Sequence, residues 1–204
     1  MINSINNSYK LLLKDKTNNT YKLGDGLDDY RDLVSLEAKY DNPDNPSKIN
    51  IKINFNKYDS NLYKEQESLV FLIDFINDEG RYLLPFNIRG ATDHWWDIAF
   101  KINNFNKKIE TISSLKPEEV SNSLTIDKID EKEGSLYLTI DLNKLREYGF
   151  IDQLPLYIQV LNVKDEKDYR VITDSFNDPK PWENSNFLIG ALPINLALKY
   201  SKSL

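Results

Sequence analysis

Leu69-Val-Phe-Leu-Ile-Asp-Phe75 is apolar at every position but Asp74. A strand with one wet face alternates apolar and polar residues, while a strand covered on both faces reads as a continuous apolar run. This run predicts a central strand buried on both sides. The preceding candidate, Ile49–Phe55, differs: Ile49, Ile51, Ile53 and Phe55 fall on one face, with Asn50, Lys52 and Asn54 on the other. That strict alternation predicts a strand packed on one side only.

Working outward, strand-like segments recur at Tyr9–Lys14, Leu33–Tyr40, Trp96–Ile102, Ser123–Ile129, Ser135–Leu142 and Leu156–Val163. The last quarter adds Tyr169–Thr173 and a closing strand at Gly190–Ile194. Gly, Asp, Asn and Pro turns separate most of them. Helical spacing is confined to Leu142–Tyr148 and a single turn at Lys116–Val120, which opens Pro117-Glu118-Glu119. About nine or ten strands at hairpin spacing, with no βαβ alternation, predict an all-β fold: an antiparallel β-sandwich with one or two short helices. The 204 residues suit one sandwich domain, 1–204, which could be one module of a larger protein. The alternation places Ile51, Ile53, Phe71, Ile73, Leu138, Ile140, Ile158 and Val160 in the core.

Composition removes several functions. A net charge of -6 with both signs interspersed offers no basic face to nucleic acid or anionic lipid. The absence of cysteine excludes disulfides, thiolate metal sites and a cysteine nucleophile. With one histidine, His94, no multi-histidine zinc site can form, and a Ser-His-Asp triad could only be built around that position. The other reading of His94 is a neutral structural imidazole satisfied by Asp93 or backbone. No G-x-S-x-G elbow or phosphate-binding glycine fingerprint occurs. No stretch reaches the ~18 apolar residues of a membrane span. Met1-Ile2-Asn3-Ser4-Ile5-Asn6-Asn7 lacks signal-peptide character, so the chain either stays inside the cell or is a mature piece.

Three features carry candidate chemistry. Trp182 lies in a proline-stiffened loop, Asp178-Pro-Lys-Pro-Trp-Glu-Asn184, and Tyr63 lies in a polar loop just before the central strand. Exposed aromatic faces attract the C–H surface of sugar rings, while neighbouring amides and carboxylates bond the hydroxyls. Simple anchoring of the loops is the plainer alternative. The run Gly24-Asp25-Gly26-Leu27-Asp28-Asp29-Tyr30-Arg31-Asp32 offers Asp25, Asp28, Asp29 and Asp32 as hard oxygen ligands for calcium, or else is a solvated turn. Trp95 and Trp96 adjoin a strand start, so one faces the core and the other the opposite side. Glu118-Glu119 and Glu65/Glu67 could form carboxylate pairs, but no spacing singles out an acid/base set, so the chain is read as not an enzyme.

Two ordered sets of short motifs carry a resemblance. One is Glu65-Gln66-Glu67-Ser68 entering Leu69-Val70-Phe71-Leu72-Ile73-Asp74; the other is Gln159-Val160-Leu161-Asn162, then Arg170, Trp182 and Gly190-Ala191-Leu192. In these the chain resembles the DOMON-like β-sandwich superfamily, in particular the family-nine carbohydrate-binding modules. It also resembles the calcium-binding sandwich domains attached to glucodextranases and pullulanases. Between Asp78 and Asp97 it is longer than the family pattern. The resemblance implies a sugar held by Trp182 and Tyr63, with Glu65, Gln159 and Asn162 bonding hydroxyls, and calcium held by the acidic run. It further implies a polysaccharide or oligosaccharide partner, a covalently linked catalytic domain, and an extracellular or cell-surface location. The competing reading is a calcium-ordered structural or protein-interaction sandwich without sugar affinity.

Overall fold

The computed structural model describes residues 8–15, 20, 23–59, 67–76, 80–103, 108–113, 120–176, 180–182 and 186–200. In chain order the strands are β1 (Lys10–Lys14), β2 (Leu33–Tyr40), β3 (Lys48–Phe55), β4 (Glu67–Asp74), β5 (Arg81–Leu83), β6 (Ala91–Trp96), β7 (Ile98–Asn103) and β8 (Lys108–Ser113). They continue as β9 (Leu124–Asp130), β10 (Ser135–Asp141), β11 (Tyr157–Asp165), β12 (Arg170–Ser175), β13 (Lys180–Trp182), β14 (Asn186–Ile189) and β15 (Leu192–Pro193). Short helices are α1 (Asp28–Arg31), α2 (Leu142–Glu147) and α3 (Ile194–Tyr200).

Two antiparallel sheets form the sandwich. One has the order β1-β2-β3-β10-β9, and the other β12-β11-β4-β7-β8, with β15 added to β11. Central β4 pairs with β11 through Phe71↔Val160 and with β7 through Phe71↔Phe100. Its two faces serve two cores, as its unbroken apolar run requires. Leu69, Phe71 and Ile73 face the first sheet, packing with Ile51, Ile53, Leu138, Ile140, Ile158 and Val160. Val70 and Leu72 point the other way, into a second cluster with Ala99, Leu161, Val163 and Ile172. All eight expected core residues are buried. In β3 the alternation is literal: Ile49, Ile51, Ile53 and Phe55 are buried while Asn50, Lys52 and Asn54 are partly exposed.

A third layer closes the second core. Leu84, Phe86, Ile88 and Trp96 from residues 84–96 cover the outer face of β4, β7 and β11. This segment belongs to a small sheet of order β13-β14-β6-β5. There β14 runs parallel to β6, whereas the two large sheets are antiparallel throughout.

Local chemistry places the helices. Asp141 caps α2, its carboxylate accepting from the amides of Asn143 (2.9 Å) and Lys144 (3.1 Å), an arrangement that stabilises a helix by about 1 kcal/mol. The expected helix at 142–148 is therefore present. The expected turn at 116–120 falls mostly outside the described residues. Two expectations are corrected. The closing strand at 190–194 is only the two-residue β15, because Ile194 and Leu198, one helical turn apart, bury on the same side of α3. The expected strand at 96–102 breaks at Asp97, whose buried carboxylate takes the amides of Phe75 (2.8 Å) and Ile76 (2.9 Å). No helix among the described residues is long and apolar enough to cross a membrane.

Candidate functional site

Trp95 and Trp96 are split by the strand repeat, as their sequence predicts. Trp96 is 1% exposed in the second core, and its indole N–H donates to the Leu83 carbonyl at 2.9 Å. Trp95 points outward at 51% exposure, with Tyr82 beside it at 48%. Their ring centroids are 6.4 Å apart and the planes are tilted by 41°. Gly80 fixes the hairpin's entry. Its φ is +103°, and a Cβ there would sit 2.8 Å from the Trp96 carbonyl oxygen and 3.1 Å from that of Trp95. Only glycine combines that φ with so close a backbone approach. The far end of the layer is tied to β12: Arg170 N–H donates to Asn87 O at 3.0 Å, and the Arg170 guanidinium donates to Phe86 O. The aromatic pair thus stands on a frame held at both ends.

Polar groups gather on the same strand. The His94 ring stacks on Tyr157 with centroids 3.8 Å apart and planes 20° apart. Its Nδ1 lies 3.5 Å from Asp74 Oδ2. Burial, reinforced by the nearby Asp97 carboxylate, pushes the Asp74 carboxyl up to about 7. Gln159 Nε2 donates to Asp93 Oδ1 at 3.3 Å. Of these groups the exposed Asp93 carboxylate shares the strand face of Trp95, whereas His94 lies on the face of Trp96 and Gln159 is buried beneath the strand. The arrangement can hold a flat, partly apolar, hydroxyl-bearing ligand.

The sugar residues expected from sequence are only partly brought together. Gln159 belongs to this polar group. Asn162, an odd number of residues farther along β11, points through the opposite face. It is wholly buried, donating from Nδ2 to the Arg31 carbonyl at 3.0 Å, so it braces the sandwich interior and does not share a surface with Gln159. Tyr63 and Glu65 lie outside the described residues. The expected loop around Trp182 is in part a strand: Lys180–Trp182 forms β13, with Trp182 opposite Asn186. β13 is the edge of the sheet whose other edge is β5.

The acidic run is threaded through basic side chains. Asp25 grips Arg31 with both oxygens, at 2.6 and 2.7 Å, and that pairing holds its carboxyl well below the usual range. Asp28 lies 3.7 Å from the same guanidinium, and Asp29 pairs with Lys57 at 2.5 Å. Asp32 is wholly buried, its carbonyl accepting from Asn56 N–H at 2.9 Å. Buried Arg31 also donates from Nε to Glu67 at 2.8 Å, tying α1 to the start of β4. Among the described residues, no three acidic or imidazole side chains converge as a metal site.

Sequence does not mark Tyr82, because Arg81-Tyr82-Leu83 is too short to show periodicity. Its pairing with Trp95 depends on the third layer. Comparison with known proteins adds little to this geometry. No family model matches the chain, and no curated protein matches its sequence. Among solved structures, the chain is similar to a candidate carbohydrate-binding protein from Bacteroides uniformis, at a TM-score of 0.32 and 9% identity, covering 90% of this chain and 86% of that one. A likeness that slight carries no argument about the ligand, which rests on the residues above.

Proposed function

We propose that the chain is a non-catalytic carbohydrate-binding sandwich whose ligand lies across Tyr82 and Trp95. The supporting observation is the exposed, tilted ring pair on a hairpin locked by Gly80 and by the buried neighbour Trp96. Rings held in place before binding lose little conformational freedom when a sugar settles on them. Asp93, exposed on the strand face of Trp95, supplies a hydroxyl partner, and buried Gln159 orients its carboxylate from beneath. Trp182, on the edge strand of the same small sheet, is a further aromatic contact in this reading, and an exported glycan-active protein is its natural setting. Shallow wet sites of this kind bind at roughly 10 µM to millimolar.

Affinity electrophoresis against a panel of soluble glycans tests the reading. Retardation by at least one glycan is expected, and Trp95→Ala or Tyr82→Ala should abolish it without changing the melting temperature. A wild-type chain that migrates freely through every glycan sinks it. Leu83, 55% exposed beside the pair, favours one competing function. An aliphatic side chain there adds to a protein-binding patch and nothing to a sugar platform, so Leu83→Ser separates the two.

A further inference from the structure

At one end of the sandwich, a cleft of about 230 Å³ opens between the 41–47 turn, the start of α2 and α3. At about 30 Å³ per water molecule it holds seven or eight waters, the space of one ring-sized ligand. Its walls include the rings of Pro43, Pro46, Tyr40 and Phe150, and Asp152 and Lys199 also line it.

The walls are held in place by committed hydrogen bonds. Arg146 reaches across the cleft's margin, donating from Nη2 to the Pro46 carbonyl and to Asp152 Oδ1, both at 2.8 Å. Asp41 closes the turn by accepting from the amides of Ser47 (3.0 Å) and Lys48 (2.9 Å). Tyr40 donates its hydroxyl to the Asn195 carbonyl at 3.1 Å. The Asn195 side chain is itself spent on Leu156 N–H (2.8 Å), Leu196 N–H (2.9 Å) and Leu154 O (2.8 Å).

The two charged side chains that line the cleft differ in their partners. The Asp152 carboxylate is matched by Arg146, whereas Lys199 has no carboxylate partner among the described residues and lies over the Tyr200 ring at 5.4 Å. Lys199 is thus the lining charge left without an ion pair among the described residues. We infer that this cleft binds a single uronate-type sugar unit, its C–H faces against the proline and aromatic walls and its carboxylate on Lys199. The spare lone pairs of Asp152 and of the Tyr40 phenol oxygen accept ring hydroxyls. A neutral sugar would leave Lys199 unmatched, and an aromatic acid would bring no hydroxyls to Asp152. This site stands apart from the Tyr82–Trp95 platform and does not depend on it.

Titrating the whole chain with glucuronate, glucose and benzoate, followed by NMR, tests the assignment. Glucuronate is expected to bind in the millimolar range or tighter, to weaken as salt rises, and to shift resonances of Tyr40 and Phe150. Lys199→Gln, at an exposed position, should fold normally and lose about tenfold in affinity, the effect of one charge-assisted hydrogen bond. Trp95→Ala should bind glucuronate as the native chain does. Equal binding of glucose overturns the charge assignment, and benzoate binding as tightly as glucuronate overturns the sugar class. No binding by any of the three at about 20 mM overturns the site. So does glucuronate binding that Trp95→Ala abolishes and Lys199→Gln leaves intact.

Discussion

Asp174, on β12 of one large sheet, accepts a 2.5 Å hydrogen bond from the backbone amide of Leu33, the first residue of β2 in the other. Burial, with the like-charged Asp15 and Asp32 nearby, pushes this carboxyl up to about 8. Asp174 is thus protonated in the fold and ionised in the unfolded chain between about pH 4 and pH 8. Over that window the folded state binds the extra proton, so stability falls as pH rises. Asp74, pushed up to about 7, adds the same sign. Asp25 works oppositely, its lowered pKa contributing stability that is lost as acid is added. Melting temperature should therefore peak in mildly acidic buffer and decline toward pH 8, with a flatter decline in Asp174→Asn. A curve that climbs from pH 5 to pH 8 would contradict this account.

The adjacent tryptophans should separate cleanly on mutation. Trp96→Ala removes a fully buried ring and should cost ~3–5 kcal/mol. Trp95→Ala, at an exposed position, should stay within roughly 1 kcal/mol of the native chain while losing glycan retardation. Urea denaturation of both variants checks the contrast, and equal destabilisation would place Trp95 in the fold and not on a binding face.

Gly80→Ala places a methyl group against the carbonyl oxygens of Trp95 and Trp96 at a φ that alanine avoids. Destabilisation of more than about 1 kcal/mol is expected. Weaker sugar binding should accompany it, because the hairpin must shift. A variant with native melting and native binding would show that Gly80 does not set the platform.

Arg31, wholly buried at the end of α1, pairs with Glu67 at the start of β4. Arg31→Ala leaves Glu67 buried without its partner and should cost about 3–5 kcal/mol, much of which Arg31→Met with Glu67→Leu should recover. Any calcium added at the acidic run would have to compete with Arg31 for Asp25 and Asp28. Millimolar calcium should accordingly raise the melting temperature of Arg31→Met more than that of the native chain. A chelator-sensitive melt of the native protein would instead show cation and guanidinium bound together.

The large sheets were legible because their physics is periodic. The alternation of Ile49–Phe55 and the unbroken run at 69–75 each state which faces are covered, and burial follows both. The opposed Trp95 and Trp96 were readable for the same reason. The third layer was not, because β5 and β13 are three residues long and no period can be counted. Helix α3 carried a usable signal in Ile194, Leu198 and the helix-favouring Leu196-Ala197 between them, yet its start also reads as the end of a strand. The ion pairs of the acidic run leave no mark in sequence, since Arg31 meets Glu67 only once the sheets stack.

The parallel pairing of β14 with β6 sets Leu188 beside Ala91 and Ile189 beside Thr92, partners roughly a hundred residues apart. A ribosome must therefore deliver the chain as far as Ile189 before the strand bearing Trp95 gains this neighbour. Closing so long a loop is slow and is rewarded late. A chain truncated before β14 would lose β15 and α3 from the large sandwich as well, and it would leave one side of the Trp95 strand unpaired and open to other chains.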